Sequence, residues 1–322
     1  MESSSGGGRL FDHYIAVDWS ATEAVTPKRP SRDAVWVGEA ARTEGSPAAP
    51  VRETYWRTRS ACSEFLRSRL LDLVAERRRV LISFDFSYGY PAGFAAALGL
   101  NGEGPAWRRI WNELRRLVQD GPENTNNRFA VAAELNSRCM QAIPGPLWGR
   151  PAGKPLAALS THSPPFPFET RSGVRLERLR RADRLEPKIQ SVWKIMYPAS
   201  VGGQTLMGIP AVAALRDDPG LRDCSRIWPF ETGFTTEPIP AAGPAILHAE
   251  IWPGAIPEPL DPREVIRDRA QVRAAVTWLR RQDTAGELAA RFGPPAHLTP
   301  AEIRLCVEEE GWILGAGARE RR

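Results

Sequence analysis

The run Val80-Leu81-Ile82-Ser83-Phe84-Asp85 constrains this chain more than any other stretch. It is almost continuously apolar and ends on an acid. A strand with one face in a core alternates apolar and polar residues, whereas a strand that is apolar throughout is covered on both faces, as in parallel or mixed sheets. The cover has to come from helices, and one precedes the run directly. Phe65, Leu66, Leu70, Leu73 and Val74 fall at helical spacing within residues 60–76. Further upstream, Tyr14-Ile15-Ala16-Val17-Asp18 reads as a buried strand, Ala34-Val35-Trp36-Val37-Gly38 as its hairpin partner, and Thr54-Tyr55-Trp56 as a third. This order predicts an α/β fold on a mixed sheet, with the first three strands antiparallel and the 80–85 strand parallel beside the first.

The rest of the chain fits around that sheet. Residues 92–195 read as a mostly helical insertion, with Trp107, Ile110, Trp111, Leu114, Leu117 and Val118 on one apolar face and a second helix from Phe129 to Leu135. Within it, residues 145–167 are rich in Pro and Gly and read as loop, and residues 175–184 as a basic helix with a solvated face. Ala245-Ile246-Leu247-His248-Ala249-Glu250-Ile251-Trp252 is the last strong strand, followed by a helix over residues 262–281. Thr299-Pro300-Ala301-Glu302 carries a capping box with proline at the first helical position. The expected organisation is a flexible tail at 1–12, one domain over 13–315 and a short tail at 316–322.

Composition narrows the classes of function. No apolar run reaches the roughly 20 residues of a membrane helix. The N-terminus lacks the apolar stretch of a signal peptide. Cys62, Cys139, Cys224 and Cys306 are scattered with no C-x-x-C pair, which argues against a zinc site or a disulfide framework. A cytoplasmic protein with no membrane partner is expected. The net charge of +5 rests mostly on arginines, clustered at 77–79, 108–109, 115–116 and 175–184. Such a balance suits nucleic acid or a phosphorylated small molecule; a GC-rich genome would produce the same arginines and prolines without that function.

Three acids stand on predicted strands: Asp18 at the end of the first, Asp85 in the apolar run, and Glu250 just before Trp252-Pro253. Burying a carboxylate costs several kcal/mol unless it is paired or binds a metal. Hard oxygen ligands suit Mg²⁺ or Mn²⁺, and no thiolate or histidine cluster competes. The alternative is that each acid pairs with one of the many arginines.

Other stretches offer ligand contacts. Trp19-Ser20-Ala21-Thr22 is either a phosphate-binding turn through Ser20 and its neighbours or an ordinary Ser/Thr turn. Asn124-Thr125-Asn126-Asn127-Arg128 opens a helix with more polar groups than a cap requires, which makes Asn127 and Arg128 binding candidates. Ser200-Val201-Gly202-Gly203-Gln204 reads as a glycine turn before a helix at 211–215, with Ser200 and Gln204 able to approach a ligand. It is neither a P-loop nor a dinucleotide fingerprint. Glu231, in Trp228-Pro229-Phe230-Glu231-Thr232-Gly233, is a binding candidate or the cap of a turn.

Taken together, YIAVDWS (14–20), VLISFDFSYGYP (80–91), SVGGQTLMGIP (200–210), WPFETG (228–233), HAEIWP (248–253) and EEGWILG (309–315) resemble an uncharacterised bacterial family related to predicted ribonuclease H-like nucleases of unknown function. Some relatives in that group are labelled cobalamin biosynthesis or molybdopterin guanine dinucleotide synthesis proteins. The resemblance implies a ribonuclease H-like fold. It also implies metal ligands at Asp18, Asp85 and Glu250, with a fourth aspartate on a late helix, for which Asp268 is the nearest match. The implied activity is metal-dependent phosphodiester cleavage of nucleic acid, with Asp18, Asp85 and Glu250 catalytic. Two alternatives remain open at this level: a phosphotransferase or nucleotide hydrolase of the actin and sugar-kinase type, and a non-catalytic binding or assembly protein.

Overall fold

A computed structural model describes residues 9–42 and 50–317. Its centre is a seven-stranded mixed sheet. Strands β1 (His13–Asp18), β2 (Val35–Ala41) and β3 (Arg52–Trp56) form an antiparallel meander. Helix α1 (Arg59–Ala75) then crosses to β4 (Arg79–Phe84), which pairs parallel with β1. Helices α2 (Phe94–Ala97), α3 (Ala106–Leu117) and α4 (Arg128–Cys139) follow, and then a two-stranded ribbon of β5 (Phe168–Glu169) and β6 (Arg175–Leu176). Helix α5 (Gly202–Asp217) leads to β7 (Ser225–Ile227) and β8 (Ala245–Ile251), and β8 lies parallel beside β4. After α6 (Arg267–Thr284), α7 (Leu288–Phe292) and α8 (Pro300–Leu305), β9 (Ile313–Leu314) pairs parallel with β8.

Alternation along the strands divides the core in two. Ile15, Val17, Val80, Ile82, Phe84 and Ile246 pack with residues of α1, α3 and α5 on one face. Tyr14, Ala16, Leu81, Leu247, Ala249 and Ile251 pack with α6 and the C-terminal segment on the other. The apolar run of β4 is thus explained by helices on both sides. No helix among the described residues is long and apolar enough to cross a membrane.

Three expectations change. The α-helices occupy only the first half of residues 92–195; beyond Cys139 the chain is ribbon, turns and irregular backbone, with one short 3-10 helix at Asp183–Leu185. The basic helix expected at 175–184 does not form: Arg175 and Leu176 are in β6, and Arg180 is fully buried. Its charge is spent inside, on carboxylates described below. The glycine turn expected before 211 is instead the start of α5. A Cβ on Gly202 would stand 2.2 Å from the Val192 carbonyl oxygen, so glycine here lets a helix lie against backbone.

The tail boundaries also shift. Residues 1–8 and 318–322 of the expected tails lie outside the described residues. Leu10 and Phe11 belong to the fold, because their amides donate to the two carboxylate oxygens of Asp283 at 2.9 Å each and Phe11 is completely buried. Gly317 is held by its amide on Glu186 Oε1 at 3.1 Å.

Candidate metal centre

The register of three parallel strands decides which acids can meet. Val17 is level with Phe84, and Phe84 with Glu250. Asp18 and Asp85 therefore follow side by side at the C-terminal ends of β1 and β4. Side chains alternate between faces along a strand. Asp18 follows Tyr14 and Ala16 onto the α6 face, and Asp85 continues the parity of Leu81. Glu250 shares the parity of Ile246, which packs on the opposite face. The β8 residue that accompanies Asp18 and Asp85 is Ile251, so the third acid comes from elsewhere. It is Asp268, in the first turn of α6.

The backbone fixes this group closely. The Asp85 amide donates to the Val17 carbonyl at 3.2 Å, and the Trp19 amide donates to Asp85 Oδ1 at 2.8 Å. Asp268 Oδ2 accepts from the Asp33 amide at 2.8 Å. Asp33 has a φ of 60°, a left-handed conformation that aspartate tolerates better than most residues. None of Asp18, Asp85 and Asp268 forms a salt bridge with Lys or Arg among the described residues. Burial pushes the Asp85 carboxyl up to about 7, and Asp268 adds to that. Asp18 is held well above the usual carboxylate range by burial first, then by the charges of Asp85 and Asp268. Asp268 is also raised, by burial, against the Asp33 amide hydrogen bond that lowers it.

Asp85 and Asp268 border a cleft of roughly 630 Å³, and Asp18 is buried beside them, outside its lining. Asp85, Asp268 and Asp33 line one side, and Ser200, Gln204 and Lys188 are among the other lining residues. Gln204 reaches it from the first turn of α5, where its side-chain amide also donates to the Trp19 carbonyl oxygen.

Glu250 also borders the cleft but is committed to a partner. Arg180 grips it with both terminal nitrogens, at 2.6 and 2.7 Å, and the Tyr88 amide donates to it at 2.9 Å. Arg180 bonds Asp183 as well, at 2.8 Å. For Glu250 the arginine-pairing alternative holds, and the side chain is a structural anchor in place of the expected metal ligand.

The other binding candidates separate in the same way. Ser200 and Gln204 line the cleft. Ser20 does not; its hydroxyl donates to the Asp33 carbonyl at 2.7 Å and accepts from the Thr22 amide at 3.2 Å, so it is an ordinary Ser/Thr turn. That turn is braced by buried Arg59, which donates to the carbonyls of Ser20 and Thr22 and pairs with Asp120. The asparagine cluster serves the same brace. Asn124 accepts from the Arg59 amide, Asn127 stands at the start of α4 with its side chain bonded to the backbone at Leu117 and Gln119 in place of a cap bond, and Arg128 bonds Asn126 and lies over the Phe129 ring. Glu231 is the cap of a turn: it accepts from the Ile227 amide and is clamped by Arg216. The basic clusters are likewise largely neutralised in place. Arg108 and Arg115 share Asp217, Arg116 and Arg138 share Glu113, and Arg79 pairs with Asp12.

Gln271, noted in the sequence one turn after Asp268, also lines the cleft, and so do Asp33, Lys188, Arg267 and Trp252, which the sequence does not single out as site residues. They lie in loops and at a helix start, where no periodicity marks them. Gln271 carried the one usable signal, its place one turn after Asp268.

Fold and site together define a mixed-sheet α/β protein with a group of carboxylates, in no salt bridge among the described residues, at the C-terminal ends of two adjacent parallel strands. The chain matches no family model, no curated protein and no solved structure.

Proposed function

We propose that this protein is a metal-dependent phosphodiesterase on a ribonuclease H-like core, acting on nucleic acid in the cytoplasm. One observation carries the reading: Asp18 and Asp85 stand side by side, joined by Asp268 from α6, with raised pKa values and, among the described residues, no arginine or lysine in a salt bridge with them. The strand order β3-β2-β1-β4-β8 supports the core assignment.

The donor set fits Mg²⁺ or Mn²⁺. All the available ligands are hard oxygens. Among the described residues no three His, Cys, Asp or Glu side chains are grouped as a ready-made metal cage. Mg²⁺ does not require one, since it usually keeps several waters and takes one or two carboxylates plus substrate phosphate. Asp85 and Asp268 would hold the ion from the cleft wall, with Asp18 buried beside them. When bound, it would supply a low-pKa water and neutralise charge at the phosphorus. The chain's own residues then divide the work. The Trp19 amide orients Asp85, the Asp33 amide orients Asp268, and Lys188 and Arg267 offer positive charge to the remaining phosphate oxygens.

The test is cleavage of single-stranded and duplex DNA and RNA with Mg²⁺ or Mn²⁺, beside melting curves with each metal. Wild type should cleave one of them and gain stability with metal, and Asp85→Asn should lose both. Nucleotide-induced stabilisation without cleavage would move the assignment to a phosphotransferase. No cleavage and no shift would leave a binding protein.

A further inference from the structure

The cleft contains one group that the phosphodiesterase reading does not use. Trp252, the residue after β8, is half-buried and faces the same cleft as Asp85 and Asp268. Its ring is fixed by glycine: a Cβ on Gly254 would stand 2.3 Å from the six-membered ring of the indole. The turn that makes this contact is closed by the Ala255 amide on the Trp252 carbonyl at 2.9 Å. An indole held at a cleft wall offers a flat apolar face without further loss of side-chain freedom. The cleft, at roughly 630 Å³, falls in the size range that encloses one small ligand. Lys188 and Arg267, which border it, are in no salt bridge among the described residues, unlike the paired arginines over much of the surface. Two cations without an ion pair thus stand at the cleft beside the carboxylates, where one phosphate would lie.

We infer that the site takes one nucleotide at a time, its base stacked on Trp252 and its phosphate at the carboxylates, so that the substrate is a nucleoside phosphate, free or at an unpaired position of a strand. The phosphate half rests on the function proposed above; the base half stands on Trp252 alone. Stacking on an aromatic side chain is sequence-tolerant and contributes about 1–3 kcal/mol per base. A base paired in a duplex would have to leave its stack to reach the ring.

The experiment compares binding of thymidine monophosphate, a short oligothymidylate and an abasic oligomer of equal length, in EDTA and in Mn²⁺. The variants are Trp252→Leu and Trp252→Phe. Wild type should prefer the base-bearing probes by about 5- to 100-fold. Trp252→Leu should erase that preference, Trp252→Phe should keep most of it, and both should retain the Mn²⁺-induced melting shift. A monophosphate that binds as well as the oligomer identifies a free nucleotide; a tighter oligomer identifies a strand. Equal binding of the abasic probe by wild type, an unchanged preference in Trp252→Leu, or no binding of any probe overturns the inference. A Trp252-dependent base preference without any Mn²⁺ shift would sustain the stacking platform and sink the metal reading.

Discussion

Glu250 and Asp85 leave neighbouring strands one residue apart in register, yet they sit in opposite electrostatic settings. Glu250 meets Arg180, which is completely buried and also holds Asp183. Asp85 meets Asp18 and Asp268 and, among the described residues, no cation in a salt bridge. The first group is a finished ion cluster that ties residues 180–183 to the sheet. The second is left with like charges that only protons or a cation can relieve. A buried acid is therefore informative only together with its partner.

The sharpest way to break this contrast is to remove Arg180. Arg180→Met leaves Glu250 and Asp183 buried with neither arginine nor solvent. It should cost about 3–5 kcal/mol in urea unfolding. Arg180→Met combined with Glu250→Gln should recover part of that loss. A loss below about 1 kcal/mol in the single variant would mean that the cluster does not hold the sheet.

Asp85→Asn should act with the opposite sign. In the native chain Asp85 keeps its proton up to about pH 7, whereas an unfolded chain releases it near 3.8. Between those values the native state binds more protons, so this group's contribution to stability is full at low pH and declines as pH rises. In EDTA at pH 8, Asp85→Asn should be as stable as wild type or more stable, and its melting temperature should fall less between pH 4 and 8. Metal-induced stabilisation of wild type should grow as pH passes 7, because proton and metal compete for the same oxygens. His248 must be separated from this effect. Burial pushes its pKa down to about 3, so its contribution is present above pH 6.5 and is lost as pH falls toward 3. A destabilised Asp85→Asn in EDTA would show that Asp85 is an anchor like Glu250.

The smallest expected effect is at Glu231, the turn cap clamped by Arg216. Glu231→Gln should cost about 1 kcal/mol and leave both cleavage and the Mn²⁺ shift unchanged. A large change in cleavage would return Glu231 to the site.

Several of these roles were legible in the residues. The apolar run of β4 announced a sheet covered on both faces, and Asp18 and Asp85 were visible as acids ending apolar strands. Glu250 looked identical because face is a matter of register, and register is set by pairing between strands about 160 residues apart in the chain. Arg180 was hidden for the converse reason: a cation within a basic stretch reads as solvated, and its two acids lie on another element and in the next turn. Gly202 and Gly203 read as a turn because glycine is a poor helix former; what placed them in α5 is backbone packing against residues 192–195, which propensity does not contain.

The π turn Cys306–Glu310 that follows α8 has a consequence for synthesis. Glu310 accepts from the amides of Ala92 and Arg181, Glu309 accepts from that of Gly93, and β9 just beyond completes the flank of β8. During translation, β4 emerges some 220 residues earlier and β1 some 290. At about 5–20 residues per second, the nascent sheet must wait on the order of ten seconds or more for the segment that fastens its loops. In that interval the amides of residues 92, 93 and 181 have only water or a chaperone to satisfy them.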